Sequence, residues 1–464
     1  MQSGIDTATA NLEQWLVYLE AVHPSEIDLG LDRLRQVAQR LNVLTLPCEV
    51  VTVAGTNGKG STVAMLDSVL RCAGYKVGCY TSPHFLRYNE RICLDGEPVS
   101  DELICQAFAR IEQARKDPAG DEISLTYFEF GTLAAFLIFA EQKPDIAVLE
   151  IGLGGRLDAA NLIDPDLSIV TTVALDHESW LGSDLEQIGR EKAGIFRPGV
   201  PALIGSPAGK IPNSVRETAE ALGCGGIYQL GKEYNWLPEG SGQDAESTSD
   251  REKTSGTANL SEKWQWQQLS EQGELKQQYL NLPRPGLPVD NAATVIQAVK
   301  LMRHSVSTAA IYQGIEQASL TGRMQRIGRF LLDVAHNPHA ANYVVQQLHK
   351  HQQLSQPLFQ RQGGKRIALV GMLDDKDIEA VLDITAPYFD QWYVAQLDGP
   401  RATPAERIVN YLHKQGCQHC QAFDSVSLAL DQVLQDSREE DQVLVFGSFF
   451  TVAGVLAEKE RLLP

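Results

Sequence analysis

The chain has 464 residues, 43% hydrophobic and 21% charged. At roughly 100–200 residues per domain, that predicts two or three globular domains. Its 59 acids against 40 bases leave a formal net charge of -19, which argues against general nucleic-acid binding because neutralising phosphates takes a basic face. A small anion held in a local basic pocket is compatible with that balance.

Residues 1–11 are polar and lack the apolar core of a signal peptide. No stretch approaches the ~18–20 apolar residues that span a bilayer. The expectation is a soluble cytoplasmic protein without a membrane or nucleic-acid partner. Of eight cysteines, only Cys417 and Cys420 form a CxxC, and no second CxxC completes a four-thiolate zinc site. Free thiols in a reducing compartment are expected.

Residues 11–22 have amphipathic helical spacing. His23-Pro24-Ser25 and Ile27-Asp28-Leu29-Gly30-Leu31 then lead into a second helix. The β-branched run 49–54 predicts a buried strand, followed by the turn Gly55-Thr56-Asn57-Gly58-Lys59-Gly60-Ser61-Thr62 and a helix from Thr62 to Ala73. Val77 to Tyr80 predicts the next strand, 128–142 an apolar helix, and Ile146 to Ile151 and Leu167 to Val173 two more buried strands. This alternation continues to about residue 230 and predicts a parallel α/β sheet.

The tract 238–262 is rich in Ser, Gly, Thr and charge and reads as a flexible polar insertion. Alternating residues on either side, Tyr234 to Trp236 and Trp264 to Trp266, predict a hairpin with the insertion at its tip. A helix over 289–303 follows, and the turn residues 319–323 end the first domain. Beyond them a second alternation begins, with strands at 329–334, 366–371, 391–396 and 442–446. Its helices are predicted at 339–351, 377–386, 404–415 and 425–435. A doubly wound second domain results.

Strand, glycine turn, helix is the context a phosphate loop requires: backbone N–H groups and a helix N-terminus surround an anion. Lys59 can reach outer phosphates, and a hydroxyl at Ser61 or Thr62 can bind magnesium. The loop is shorter than the GxxxxGK[ST] pattern, with Gly60 between Lys59 and Ser61. Further polar residues follow predicted strands. Ser82 lies in Tyr80-Thr81-Ser82-Pro83-His84. Glu150 opens Glu150-Ile151-Gly152-Leu153-Gly154-Gly155-Arg156-Leu157-Asp158. Asp176-His177 follows the strand ending near Val173, and Asp333 and His336 close a strand of the second domain. Ligands bind at strand carboxyl ends in open parallel sheets, and a carboxylate such as Glu150 suits magnesium.

The motifs IDLGLDR (27–33), AGTNGKGST (54–62), TSPH (81–84), EIGLGGRLDAAN (150–161), LDHESWLG (175–182), REKAGIF (190–196), TGRMQ (321–325), DVAHNP (333–338) and FGSFFTV (446–452) occur in this order. By them the chain resembles the folylpolyglutamate synthase/dihydrofolate synthase family, a branch of the Mur-type ligases, over nearly its whole length. The resemblance implies an α/β fold of two domains. One is an N-terminal P-loop-type ATPase domain with a parallel sheet (1–320). The other is a C-terminal Rossmann-like, doubly wound glutamate-ligase domain (325–464).

It also implies an activity: ATP phosphorylates a substrate carboxylate, and the amine of L-glutamate displaces phosphate. Dihydropteroate and reduced folates are the implied acceptors, with the motifs most like those of bacterial bifunctional members, and the implied state is a monomer. ATP would be held by Thr56, Asn57, Gly58, Lys59, Gly60, Ser61, Thr62, Asn291, Arg323, Asp333 and His336. Two magnesium ions are implied, one at Ser61 and Glu150 and one at Ser82 and His177. Lys192 corresponds to a lysine that is carbamylated in relatives, and with Lys59, Glu150 and His177 it makes up the implied catalytic set. The pterin would lie near His23, Pro24, Thr126, Tyr127, Phe128, Glu129, Leu157 and Asp158.

The insertion at 238–262 and Val334-Ala335, where Asp-Gly-Ala-His is commoner, depart from the family pattern. The competing readings are a folylpolyglutamate synthase of single activity, a Mur-type peptidoglycan ligase, a non-catalytic nucleotide-binding regulator and a phosphate-loop NTPase switch.

Overall fold

The computed structural model describes residues 5–23, 25, 27–116, 122–239, 263–270, 272–351 and 364–463. Pro24 and residues 240–262 of the predicted insertion lie outside the described residues. The chain divides into two units, Met1–Ala318 and Ser319–Pro464.

The first unit is organised around β1 (Glu49–Ala54), whose six residues are all buried. Its partners in an eight-stranded sheet are β2 (Val77–Tyr80), β3 (Ile92–Leu94), β4 (Glu97–Pro98), β5 (Ile146–Glu150), β6 (Leu167–Val170), β7 (Ala202–Ile204) and β8 (Ile227–Gln229), in the order β4-β3-β2-β5-β1-β6-β7-β8. From β1 the chain moves to β2 on one side, returns through β5 into the gap, and reaches β6 on the other side. That reversal leaves a crevice at the carboxyl end of β1, the position where open α/β sheets bind ligands.

The sheet is parallel from β2 to β8, but β3 and β4 run antiparallel to their neighbours. The β3–β4 pairing has a local cause: Asp95 and Gly96 both take positive φ and turn the chain back into a tight hairpin.

Helices α1 (Leu12–Val22), α2 (Asp32–Leu41), α3 (Lys59–Cys72), α4 (Asp101–Arg115) and α5 (Tyr127–Gln142) belong to this unit. Every residue of α5 from Glu129 to Phe139 is buried, so its core is hydrophobic all round, as for a helix enclosed by its neighbours.

The predicted hairpin has a third strand. β9 (Tyr234–Pro238), β10 (Lys263–Leu269) and β11 (Leu275–Pro283) form an antiparallel sheet in the order β11-β10-β9, with Trp266 opposite both Trp236 and Tyr279. Trp264 and Trp266 share one face by the two-residue period of a strand. The Trp266 indole donates to Ala293 O at 3.1 Å, docking this sheet on the helix Val289–Leu301.

The second unit carries β12 (Gln325–Ile327), β13 (Phe330–Leu332), β14 (Arg366–Val370), β15 (Gln391–Ala395), β16 (Cys420–Phe423) and β17 (Gln442–Phe446), in the order β12-β13-β17-β14-β15-β16. All pairings are parallel except β12 with β13. The edge strand β16 escapes a periodicity reading because its residues are only half-buried or exposed. All eight cysteines are free. Among the described residues no helix is long and apolar enough to cross a membrane.

Candidate active site

The phosphate loop occupies the crevice at the end of β1. Gly55 and Gly58 take φ of 149° and 86°, which only glycine adopts without strain. Gly58 caps α3, so the loop delivers the positive end of the helix to the crevice. Ser61 and Thr62 in the first turn are buried, and the Thr62 hydroxyl has no hydrogen-bond partner. Lys59 Nζ donates to Gly55 O at 3.1 Å and Thr56 O at 3.3 Å.

Two residues that sequence reasoning missed brace this loop. β6 ends at Val170, three residues short of the predicted end, and the next two threonines turn to the loop. Thr171 Oγ1 donates to Asn57 O at 2.7 Å, and Thr172 Oγ1 accepts from Asn57 N at 3.0 Å. The Thr56 N–H reaches Thr172 O at 2.7 Å. The available signal was a hydroxyl pair closing a buried strand. Asn291, on the helix Val289–Leu301, donates to Gly58 O at 3.3 Å. A Cβ on Gly58 would meet that amide at 2.9 Å.

Glu150 ends β5 beside β1, opposite Val53, and is buried. The Ser82 N–H approaches its carboxylate at 3.4 Å, so Ser82 and Glu150 meet. Glu90 fixes the segment after Ser82 by accepting the N–H groups of Phe85, Leu86 and Arg87 at 2.7–2.9 Å. His84 accepts from Arg91 at 2.8 Å, and burial and that cation pull its pKa down to about 4.

The EIGLGGRLD turn folds back on itself through Asp158. Its carboxylate accepts the N–H groups of Leu153 at 2.8 Å and Ala160 at 2.9 Å. Burial pushes its pKa up to about 6 against those bonds. A Cβ on Gly152 would meet Phe128 at 2.7 Å and Asp158 at 3.3 Å, so two of the predicted pterin residues converge there. Leu157 beside them is half-buried.

The other pterin candidates are engaged elsewhere. Thr126 caps α5. Tyr127 packs edge-on to Tyr88 with Arg91 over its ring. The Glu129 carboxylate is taken by Arg33, at 3.0 Å, and by the Thr126 N–H, at 2.7 Å. Arg33 also binds Asp28 at 2.5 Å, and Asp28 lies 3.4 Å from His23. Arg33 and Asp28 were visible in the IDLGLDR motif but carried no role there.

Lys192 is buried in the helix Leu185–Ala193. Burial, then the like charge of Lys59, lower its pKa to about 7, while Asp176 and Asp158 oppose the shift. Lys59, Lys192, Asp158 and Asp176 therefore share one electrostatic environment. His177 follows with φ of 53° and caps the short helix Glu178–Leu181. Among the described residues no three His, Cys, Asp or Glu side chains form a metal-binding group. The predicted magnesium donors are instead two hydroxyls, one carboxylate and one imidazole.

In the second unit, Asp333 follows β13 and is buried. It accepts the N–H groups of Met324 and Ala335, both at 2.9 Å. Burial raises its pKa and the Arg323 cation opposes the rise. Arg323 lies over the Phe449 ring at 5.7 Å, and the His336 ring is 6.5 Å from it. Thus Arg323 and His336 pack on Phe449, which the sequence reading left without a role, and both lie in the field of the buried Asp333.

The family model described as Mur ligase, glutamate ligase domain matches residues 322–449. The dihydrofolate synthase/folylpolyglutamate synthase of Escherichia coli K12 is 42% identical over 452 residues, 97% of this chain and 96% of that protein. The solved structure of E. coli FolC in complex with DHPP and ADP matches with a TM-score of 0.83 at 42% identity, covering 98% of both chains. The bifunctional folylpolyglutamate synthase/dihydrofolate synthase of Yersinia pestis, complexed with AMPPNP and Mn ion, matches with a TM-score of 0.84 at 41% identity. That match covers 98% of this chain and 100% of the other.

Proposed function

The chain belongs to the dihydrofolate synthase/folylpolyglutamate synthase family, and on that premise we propose that it is an ATP-dependent ligase with both activities. It joins L-glutamate to 7,8-dihydropteroate and adds further glutamates to reduced folates. The observation that carries the reading is the full-length identity to a bifunctional relative. The phosphate loop, Glu150 and Ser82 at adjoining strand ends, with Lys192 in the electrostatic field of Lys59, support it.

The reaction brings a carboxylate and a triphosphate together, so charge handling and alignment dominate its barrier. The α3 N-terminus and the loop N–H groups receive phosphate oxygens, and Lys59 leaves its loop carbonyls for them. Asn291 holds the loop from beneath. Asp158 and Phe128 seat the pterin, and Arg33 fixes the 27–31 segment by bridging Asp28 and Glu129.

The oxygen donors fit magnesium, with a buried carboxylate at Glu150 and a buried Thr62 hydroxyl without a partner beside Ser61, and the His177 imidazole adds one nitrogen donor. Ser61 and Glu150 would hold one ion, and Ser82 and His177 the other. Bound magnesium supplies charge neutralisation between the phosphates and the substrate carboxylate. Lys192 fits carbamylation. A buried amine with a pKa near neutrality is unprotonated often enough to attack carbon dioxide, and the resulting anion faces Lys59 favourably.

The test is purified protein with Mg-ATP, L-glutamate and 7,8-dihydropteroate, with ADP release and product mass both measured. Glutamate-dependent ADP release with a one-glutamate mass increase is expected, and again with tetrahydrofolate as acceptor. ADP release independent of glutamate overturns the ligase reading. Turnover with tetrahydrofolate alone reduces it to one activity.

A further inference from the structure

Far from the phosphate loop, at the amino end of the same strand, β1 begins with a buried carboxylate. Glu49 is 3% exposed. Its Oε1 accepts the backbone N–H of Arg303 at 2.8 Å, and its Oε2 lies 2.6 Å from His304 Nδ1. Tyr75 adds a second hold on the same segment: its ring meets His304 edge-on at 4.8 Å, and its hydroxyl donates to Ser305 O at 2.8 Å. A glutamate opening a central strand is unusual in composition, since the rest of β1 is Val, Thr and Ala.

Arg303 and His304 follow Met302, the C-cap of the helix Val289–Leu301. At the other end of that helix, Asn291 donates to Gly58 O of the phosphate loop. The helix is therefore held at both ends, to the first residue of β1 through Glu49 and to the phosphate loop that follows β1 through Asn291. Strand and helix match in length. Six residues of strand span about 20 Å, and thirteen residues of helix also span about 20 Å. A slide of the helix along β1 is resisted at Glu49 and is felt at Asn291.

We propose that Glu49, through His304 and Arg303, is a remote positioning residue for the nucleotide site. It sets the axial register of the helix Val289–Leu301 against β1 and so keeps Asn291 under Gly58. The inference rests on the reading of Asn291 and the phosphate loop as the ATP site. Glu49 touches no substrate, so it acts on nucleotide affinity and leaves the chemistry of glutamate attack alone.

The test uses the full chain with Glu49→Gln, which keeps shape but loses one of the two acceptors, and His304→Phe, which keeps the ring contact with Tyr75. ADP affinity is measured by titration calorimetry, and KM and kcat are measured separately for ATP and glutamate. The expected result is a rise of roughly five- to tenfold in ADP Kd and ATP KM, the size of remote couplings. The kcat and the glutamate KM stay within about twofold, the scale of an uncoupled change. Adding Glu49→Gln to Asn291→Ala should weaken ADP no further than Asn291→Ala alone, because both act on one contact.

A lowered melting temperature with unchanged ADP Kd overturns the proposal, as does full additivity with Asn291→Ala. If Glu49→Gln does not fold, His304→Phe alone decides by the same criteria. Failure of the wild-type chain to bind ADP removes the nucleotide reading itself, and this inference with it.

Discussion

The Ser82 N–H lies 3.4 Å from the Glu150 carboxylate, across the carboxyl ends of two adjacent parallel strands, β2 and β5. The two residues are 68 positions apart in the chain, and the sheet order alone brings them together. Their meeting beside the phosphate loop is what turns separate strand-end residues into one site, and the first prediction tests it.

Glu150→Gln keeps the side-chain volume and removes the charge. Turnover, read as glutamate-dependent ADP release, should fall by roughly two to three orders of magnitude, the usual cost of losing a charge-stabilising group. The melting temperature should stay within about 2–4 °C of wild type, because packing does not depend on that charge. Near-normal turnover would remove Glu150 from the site.

Asp158 has a carboxyl that burial raises to about 6, so it is ionised at neutral pH and protonated in mild acid. Only the ionised form accepts hydrogen bonds on every lone pair. If it seats the pterin, kcat/KM for dihydropteroate should fall as pH drops through about 6, approaching tenfold per unit below it. The kcat/KM for ATP should lack that inflection. A flat dihydropteroate profile from pH 5 to 8 (about three units, wide enough to show the change) would separate Asp158 from substrate binding.

Lys192 sits in the opposite regime. Its folded pKa of about 7 lies below its ordinary 10.5, so the folded state binds its proton less readily than the unfolded state. The cost of burying the ammonium is then fully present below pH 7. It fades as pH rises towards the ordinary value, because the slope of stability with pH is positive while only the unfolded chain is protonated. Lys192→Met, in buffer purged of carbon dioxide, should therefore raise the melting temperature most near pH 6 and little near pH 10, while losing activity. A gain equal at both pH values contradicts the lowered pKa.

Gly155 leaves no room for a side chain. A Cβ would meet Glu191 O at 2.5 Å and Lys192 Cα at 2.9 Å, both backbone. Gly155→Ala should cost about 1–3 kcal/mol of unfolding free energy in denaturant titration, the range for overpacking. It should also reduce kcat/KM by displacing Lys192. Wild-type stability and activity together would show that the helix Leu185–Ala193 yields without consequence.

Both alternations and the central strand β1 were legible in the sequence, because buried strands and helices carry their period locally. The antiparallel pair β3 and β4 was not, since strands of three and two residues are too short to show one. Nor was β16, whose edge position leaves its residues half-buried or exposed. The resemblance supplied Lys192 a role that its neighbours in the chain do not suggest.

The glycine turn after β1 was legible in the sequence itself: glycine permits the positive φ that Gly55 and Gly58 take, and the helical spacing that follows places a helix N-terminus there. The tertiary structure alone decided what surrounds it. Thr171 and Thr172 brace Asn57 from more than a hundred residues away. Arg33 takes the carboxylate of Glu129. Burial moves Asp158 and Lys192 towards neutrality from opposite sides. These depend on which segments the sheet order brings together and on how completely water is excluded, and neither quantity is written in the spacing of residues along the chain.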